Sequence, residues 1–147
     1  MIHLRQLTLN GEIKMDMEIN FPGGKKVDAV YKGFTIKTDQ PKHEGGEGTS
    51  PEPFSLFLTS IGTCTGIYVL SFCQKRNIST DGLKMILRIE KNKETHMINK
   101  ISMEIQVPKD FPDNYKNAII KTASLCAVTK HLEKPPSINI SVKKNSS

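Results

Sequence analysis

The sequence predicts an α+β fold: one long central helix covered by antiparallel strands. Three observations carry this reading. From Phe54 to Cys73 the chain has no ionisable side chain other than Cys and Tyr, which is long enough for a core helix and too long for a strand. The stretches on either side alternate apolar and polar residues, the period of strands with one buried face. A second helical pattern, interrupted around Ser124 to Cys126, follows the later strands. The order is then β-β-β-β, long α, β-β, α-α, β, in which strand groups and helices are segregated.

Residues 2–9 and 12–21 alternate well enough to be strands, and Asn10-Gly11 between them is a strong hairpin signal. Pro22-Gly23-Gly24 makes the next turn. Val27 to Tyr31 and Phe34 to Thr38, split by Lys32-Gly33, read as a further hairpin. Asp39 to Glu52, DQPKHEGGEGTSPE, offers no apolar residue for burial and is expected to be a solvated loop that delivers the chain into the helix. Two prolines and Ser50 stand at the helix entry, where proline is tolerated and a capping oxygen is wanted. Lys75, Arg76 and Asn77 stand at its end, where cations complement the dipole. The helix should therefore run for about six turns.

Beyond it, Leu83, Met85, Leu87 and Ile89 form one alternating face, and Ile101, Met103, Ile105 and Val107 another. Pro108 and Pro112 close the second strand, and Asp113 is placed to cap a helix through Tyr115, Ile119 and Ile120. A short helix over Ala127 to Glu133 comes next. Pro135-Pro136 ends it, and Ile138, Ile140 and Val142 predict a last strand before a serine-lysine tail expected to be disordered. Residues 1–147 read as a single domain, large enough to build a core without disulfides or metal.

Apolar side chains occur on every side of the central helix, so it has to be enclosed. One enclosure is lipid: the stretch can span a bilayer, and Gly62 with Gly66 has the small-xxx-small spacing of packed membrane helices. Against this, six Ser or Thr residues dilute it and the flanks read as soluble strands. The other enclosure is protein. One small sheet covers too little, and a homodimer with two such helices packed between two sheets is the economical solution. Gly62 to Gly66 would then let another backbone approach closely at Cys64.

A formal charge of +6 raises the question of nucleic acid, but Lys and Arg are scattered and aromatic residues are not interleaved with them. No nucleic acid and no membrane is the expectation. Three cysteines at wide spacing make neither a disulfide framework nor a zinc pattern. MIHLRQLTLN lacks the apolar core of a signal peptide, so a cytoplasmic location is expected. There, lone cysteines are buried filler or reactive thiols. His43, Glu44 and Glu47 match no ligand spacing, and no metal is expected. The run Glu90 to Glu94 is a solvent-facing hairpin tip, and His131 falls on the far side of its short helix from Cys126.

Cys64 and Cys73, nine positions apart, fall on opposite faces of one helix and cannot act together. Cys73 reads as a small hydrophobe. Cys64 is either the same or, given Gly62, Thr63, Thr65 and Gly66 around it, a thiol with room for a ligand or a second sulfur. Cys126, in ASLCAVTKHL at a helix start with Ser124 as a candidate cap, has the setting that stabilises a thiolate. Two such cysteines are what a two-step thiol peroxidase needs: one attacks the O–O bond and becomes a sulfenic acid, the other condenses with it.

The stretch GEGTSPEPFSLFLTSIGTCTGIYVLSFCQKRNI resembles the first-cysteine helix of the OsmC/Ohr superfamily (osmotically inducible protein C and organic hydroperoxide resistance proteins). SLCAVTKHL resembles its second-cysteine segment. The resemblance covers almost the whole chain in element order, and its length and GEGTSP loop are more similar to the less characterised branch. It implies an intertwined homodimer with sites at the subunit interface, Cys64 as peroxidatic and Cys126 as resolving thiol, and a small-molecule peroxide or electrophile as substrate. It implies no bound cofactor; an external dithiol such as a lipoyl group would serve as reductant. Peroxidase members also carry a glutamate where this chain has Phe54, and an arginine from the N-terminal strands that holds the thiolate. Glu52 and Arg5 are the residues here nearest to those roles, and Ala127 replaces a proline often found after the second cysteine. These departures leave an alternative, a non-catalytic or small-molecule-binding dimer on the same scaffold.

Overall fold

The computed structural model describes residues 6–7 and 13–144. The chain divides into two units, residues 1–57 and 58–147, and the division falls inside the long helix. In the first unit, β1 (Gln6–Leu7) pairs antiparallel with β2 (Ile13–Lys14). The Asn10-Gly11 turn expected between them lies outside the described residues. A three-stranded antiparallel sheet follows, with order β3 (Glu18–Gly23), β4 (Lys26–Tyr31), β5 (Phe34–Ile36).

The strand expected over 12–21 is thus two strands, broken at residues 15–17. Strand β3 runs on through Pro22 to Gly23, with a register shift between Asn20 and Gly23. Proline cannot donate to a ladder, and this edge strand with its irregularity is where a sheet accepts one. The two-residue turn between β4 and β5 has Lys32 and Gly33 both left-handed (φ 49° and 82°), the geometry that follows strand twist in tight hairpins. The sheet's apolar side chains stay uncovered: Phe21 is 79 % and Phe34 73 % exposed.

The loop from Asp39 to Glu52 is ordered around a buried carboxylate, contrary to its solvated reading. Asp39, 1 % exposed, accepts hydrogen bonds from the amides of Gln40 (2.8 Å), Glu47 (3.2 Å) and Thr49 (3.0 Å) and from Thr49 Oγ1 (2.9 Å). Four donors on one carboxylate hold it well below its usual range, at about 2, with the Thr49 amide the largest influence. A Cβ on Gly46 would lie 1.9 Å from the Gln40 carbonyl oxygen, so only glycine permits this path. Lys26 and Glu47 form an ion pair beside it.

Helix α1 spans Pro53–Gln74. Proline is suited to its first position. At its other end Asn77 turns left-handed (φ 53°) and the Ile78 amide bonds the Cys73 carbonyl at 2.9 Å, closing the last turn. Its buried residues Ile61, Thr65, Val69, Phe72 and Cys73 recur every three or four positions, so a single stripe is covered. Ile67 on the opposite side is 53 % exposed.

In the second unit, β6 (Lys84–Lys91) and β7 (Ile98–Gln106) form an antiparallel hairpin that pairs Met85 with Ile105 and Leu87 with Met103. Leu87 Cδ1 comes within 3.6 Å, and Met85 Sδ within 3.8 Å, of where Cβ atoms on Gly62 and Gly66 would stand. The small stretch thus admits side chains of this strand pair. Val69, Phe72, Cys73, Phe111, Ile119 and Ala123 form the core, with Leu83, Met85, Ile105 and Val107 against it. Helices α2 (Lys116–Ala123) and α3 (Ala127–Glu133) are split at Ser124 to Cys126, where the break is expected.

Two expectations are corrected in this unit. Asp113 does not cap α2. It opens a 3-10 turn, Asp113–Tyr115, and pairs with Lys116 at 2.6 Å, so the charge goes to the lysine rather than to helix amides. The last strand is absent as well. Ile138, Ile140 and Val142 are 84 %, 93 % and 95 % exposed, and residues 134–144 have no regular structure. Alternation makes a strand only where a sheet edge supplies hydrogen bonds, and among the described residues none pairs with this segment.

Candidate functional site

All three cysteines are free, and their settings differ. Cys73 is fully buried in the core, and burial pushes its thiol up against the pull of Arg76. Arg76 lies 3.8 Å over the Phe72 ring and 5.5 Å from that of Tyr115, and donates to the Phe72 carbonyl at 3.3 Å. Cys64, between buried Ile61 and Thr65, is at the margin of the covered stripe and half-buried. Cys126 is fully buried, as the residue that opens α3.

The joint between α2 and α3 is what seats Cys126 inside. Ser124 ends α2 and donates its hydroxyl to the Ile120 carbonyl at 3.0 Å, so it is not the cap of α3 that its position suggests. The Leu125 amide bonds the Thr122 carbonyl at 3.1 Å, and the Lys130 amide takes the Cys126 carbonyl at 3.1 Å as the first bond of the next helix. This turn brings the Cys126 sulfur near enough to the Cys64 side chain for the one thiol to influence the other.

Two forces act on the Cys126 thiol. Burial pushes it up, but the Thr129 hydroxyl and amide, the Cys64 thiol and the Thr65 hydroxyl all favour the anion and bring it down to about 7. The donors prevail because each stabilises the charged form directly at the sulfur. No full side-chain capping bond closes at Cys126. Thr65 Oγ1 and Thr129 Oγ1, both buried, have no hydrogen-bond partner among the described residues.

A cleft of about 630 Å³ lies against helices α1, α2 and α3 and strands β6 and β7. Thr65 and Thr129 line it, with Met85, Met103 and Ile119 as apolar wall and Lys116 among its charged residues. A second cleft of about 450 Å³ lies along Gly62 and Gly66, facing Leu87 and Met103.

Of the residues nominated by sequence, Cys64 and Cys126 meet. Arg5 lies outside the described residues. Glu52 accepts a hydrogen bond from Ser55 Oγ at 3.0 Å, which engages its carboxylate at the entry of α1. His131 contacts the Ala127 carbonyl at 2.7 Å and is exposed. Among the described residues no three His, Cys, Asp or Glu side chains cluster as a metal site would require. Thr65, beside Cys64, and Thr129, three residues after Cys126, are given no role of their own by the sequence. The available signal is the three-residue spacing from Cys126 to Thr129, that of a helix-capping pair.

A long helix preceded and followed in the chain by antiparallel strands, with one cysteine on it and another at a later helix start, defines an α+β protein. Residues 46–141 match the family described as OsmC-like protein, and the chain belongs to that family. No curated protein matches it by sequence. Its fold is similar to that of a candidate osmotic-stress-induced and detoxification-response protein from Psychrobacter arcticus, with TM-score 0.65 and 18 % identity over 88 % of this chain and 90 % of that one. It is similar also to an OsmC-like protein from Mycoplasma pneumoniae, with TM-score 0.61 and 18 % identity over 83 % and 89 % of the two chains. Helix α1, which by length and hydropathy alone could cross a membrane, lies within the residues that match the family.

Proposed function

We propose that the protein is a cytoplasmic, homodimeric thiol peroxidase that reduces organic hydroperoxides or a related electrophile. The observation that carries the proposal is the contact between half-buried Cys64 and fully buried Cys126, drawn together from distant parts of the chain. The more accessible sulfur is the one suited to meet substrate. Its thiolate attacks the peroxide, forming an S–O bond as the O–O bond breaks, and the alkoxide leaves as alcohol after taking a proton. The Cys126 thiolate then attacks the sulfenic sulfur. An S–S bond forms, the S–O bond breaks, and hydroxide leaves to become water. An external dithiol, of which a lipoyl group is the expected example, returns two electrons and two protons by thiol–disulfide exchange.

The dimer rests on uncovered apolar surface within each unit: Phe21 and Phe34 on the first sheet, Ile67 on α1 and the unpaired Ile138, Ile140 and Val142. A second copy would cover these faces. A second reading, a non-catalytic small-molecule-binding dimer, is favoured by the engagement of Glu52 with Ser55, which leaves the family's glutamate role without a dedicated carboxylate. Consumption of cumene hydroperoxide with dihydrolipoamide as reductant separates the two. The peroxidase reading expects turnover that is lost in Cys64→Ser and falls in Cys126→Ser. Equal rates in the natural protein and Cys64→Ser would leave the binding reading.

A further inference from the structure

The cleft of about 630 Å³ in the second unit stands apart from the thiol chemistry: none of the three cysteines is among its lining residues. Its size is that of a small-molecule site. Strands β6 and β7 give it Met85, Met103 and Ile105, and α2 gives it Ile119 and Ile120, so most of its wall is apolar. Methionine is unbranched and polarizable, which suits a wall that fits an apolar body without demanding one shape. The charges around this wall differ in what they still have to bind. Glu104 accepts hydrogen bonds from Arg88 at 2.7 Å and Gln106 at 2.6 Å, and Lys116 pairs with Asp113 at 2.6 Å. Glu133, the last residue of α3, has no ion pair among the described residues. Its sequence neighbours Lys130 and Lys134 do not line the cleft. With the paired charges set aside, the cleft presents an apolar wall and one uncompensated carboxylate.

We infer that this cleft is a binding site for an amphipathic cation: an ammonium group at Glu133 on an apolar body laid against the β7 and α2 wall. A neutral apolar ligand would leave Glu133 unused, and an anionic one would be repelled by it. Glu133 is exposed, so its pairing contributes little by itself. The apolar wall supplies most of the binding, and the carboxylate decides the sign of charge that is accepted. The chain as a whole carries a formal charge of +6, so its long-range field favours anions. A preference for cations at this cleft is therefore local in origin, which makes it a sharp signature of the site.

The test is isothermal titration calorimetry of the full chain at neutral pH with decylammonium and with decanoate, each below its micelle concentration. Decylammonium should bind saturably at one site per chain, and decanoate about ten-fold more weakly, since Glu133 attracts the one and repels the other. Glu133→Gln should cost decylammonium about three- to five-fold in affinity, the range of an exposed ion pair, and narrow its margin over decanoate. Ile120 is 58 % exposed, so Ile120→Ser should fold and weaken both ligands alike, by about three-fold. Glu94→Gln, on the tip of the β6–β7 hairpin and outside the cleft, should change nothing. With methyl-labelled methionine, the Met85 and Met103 signals should shift on titration while that of Met97, 70 % exposed near the hairpin tip, stays. Decanoate binding as tightly as decylammonium overturns the inference, as does an affinity unchanged in Glu133→Gln. Binding that shifts Met97 and leaves Met85 and Met103 in place lies elsewhere and overturns it too. If a second copy fills the cleft instead, no saturable binding is seen, and the inference falls. None of these readouts uses peroxide turnover, so their failure leaves the peroxidase reading standing.

Discussion

Oxidation of the reduced protein is expected to stabilise it by about 4 kcal/mol through a Cys64–Cys126 bond. The bond closes a loop of roughly sixty residues, and the chain-entropy relation assigns that loop about 14 cal/mol/K, or about 4 kcal/mol at 25 °C. Native strain would subtract from this figure, while the α2–α3 turn holds the buried partner in place. Unfolding a chain of 147 residues carries an entropy of about 0.3 kcal/mol/K, so the melting temperature should rise by about 14 °C at most. The assay is calorimetry of oxidised against dithiothreitol-treated protein at one fixed concentration, since dissociation of an oligomer shifts melting by mass action. Cys73→Ser should show the same rise, whereas Cys64→Ser and Cys126→Ser should show none. If peptide mapping finds the bond but the melting temperature does not move, the entropic reasoning is wrong. If the rise survives in Cys64→Ser, the pairing is wrong.

Three other outcomes follow from the fold. Phe72→Ala should cost about 3–5 kcal/mol in urea unfolding, because it removes a ring 2 % exposed that also meets Tyr115 edge-on at 5.8 Å; a loss under about 1 kcal/mol would mean the core is not as described. Asp39 has a folded pKa lowered to about 2 from 3.8, so its stabilisation is complete above pH 3.8 and is lost as pH falls towards 2. Asp39→Asn should flatten the acid limb of a stability–pH curve in that window, and an unchanged limb would count against the network. Gly46→Ala should displace the loop, since the new Cβ would overlap the Gln40 carbonyl, and limited proteolysis after Lys42 should quicken; equal cleavage rates would contradict this path.

The parts of this structure legible in the sequence are those governed by local rules. Proline at the start and cations at the end of an uncharged stretch locate α1, and Ala127 to Glu133 is helical as its pattern predicts. The break between α2 and α3 also falls where Ser124 to Cys126 predict it. What is not legible depends on partners remote in sequence. Asp39 reads as one more polar residue of a glycine-rich loop, because nothing nearby reveals that the Glu47 and Thr49 amides fold back onto it. Ile138 to Val142 has the alternation of a strand but no edge to join. Apolar residues all round α1 reveal that it needs cover, while the choice of face is made by β6 and β7.

The site follows the same division. Chain pattern nominates Cys64 and Cys126, and attention goes to a cation for Cys64, because a mid-helix thiol has no free amide to draw on. The fold supplies a different solution at the other sulfur. Neighbouring positions on α1 project about 100° apart, so Cys64 can stand at the margin of the covered stripe while Thr65 turns inward. Both still reach Cys126, because the α2–α3 turn brings that sulfur to the helix face between them. One helix thus presents a thiol of intermediate exposure and, one residue later, a buried hydroxyl. A threonine placed one position earlier or later would lose its burial, since Cys64 and Gly66 on either side are only half-buried.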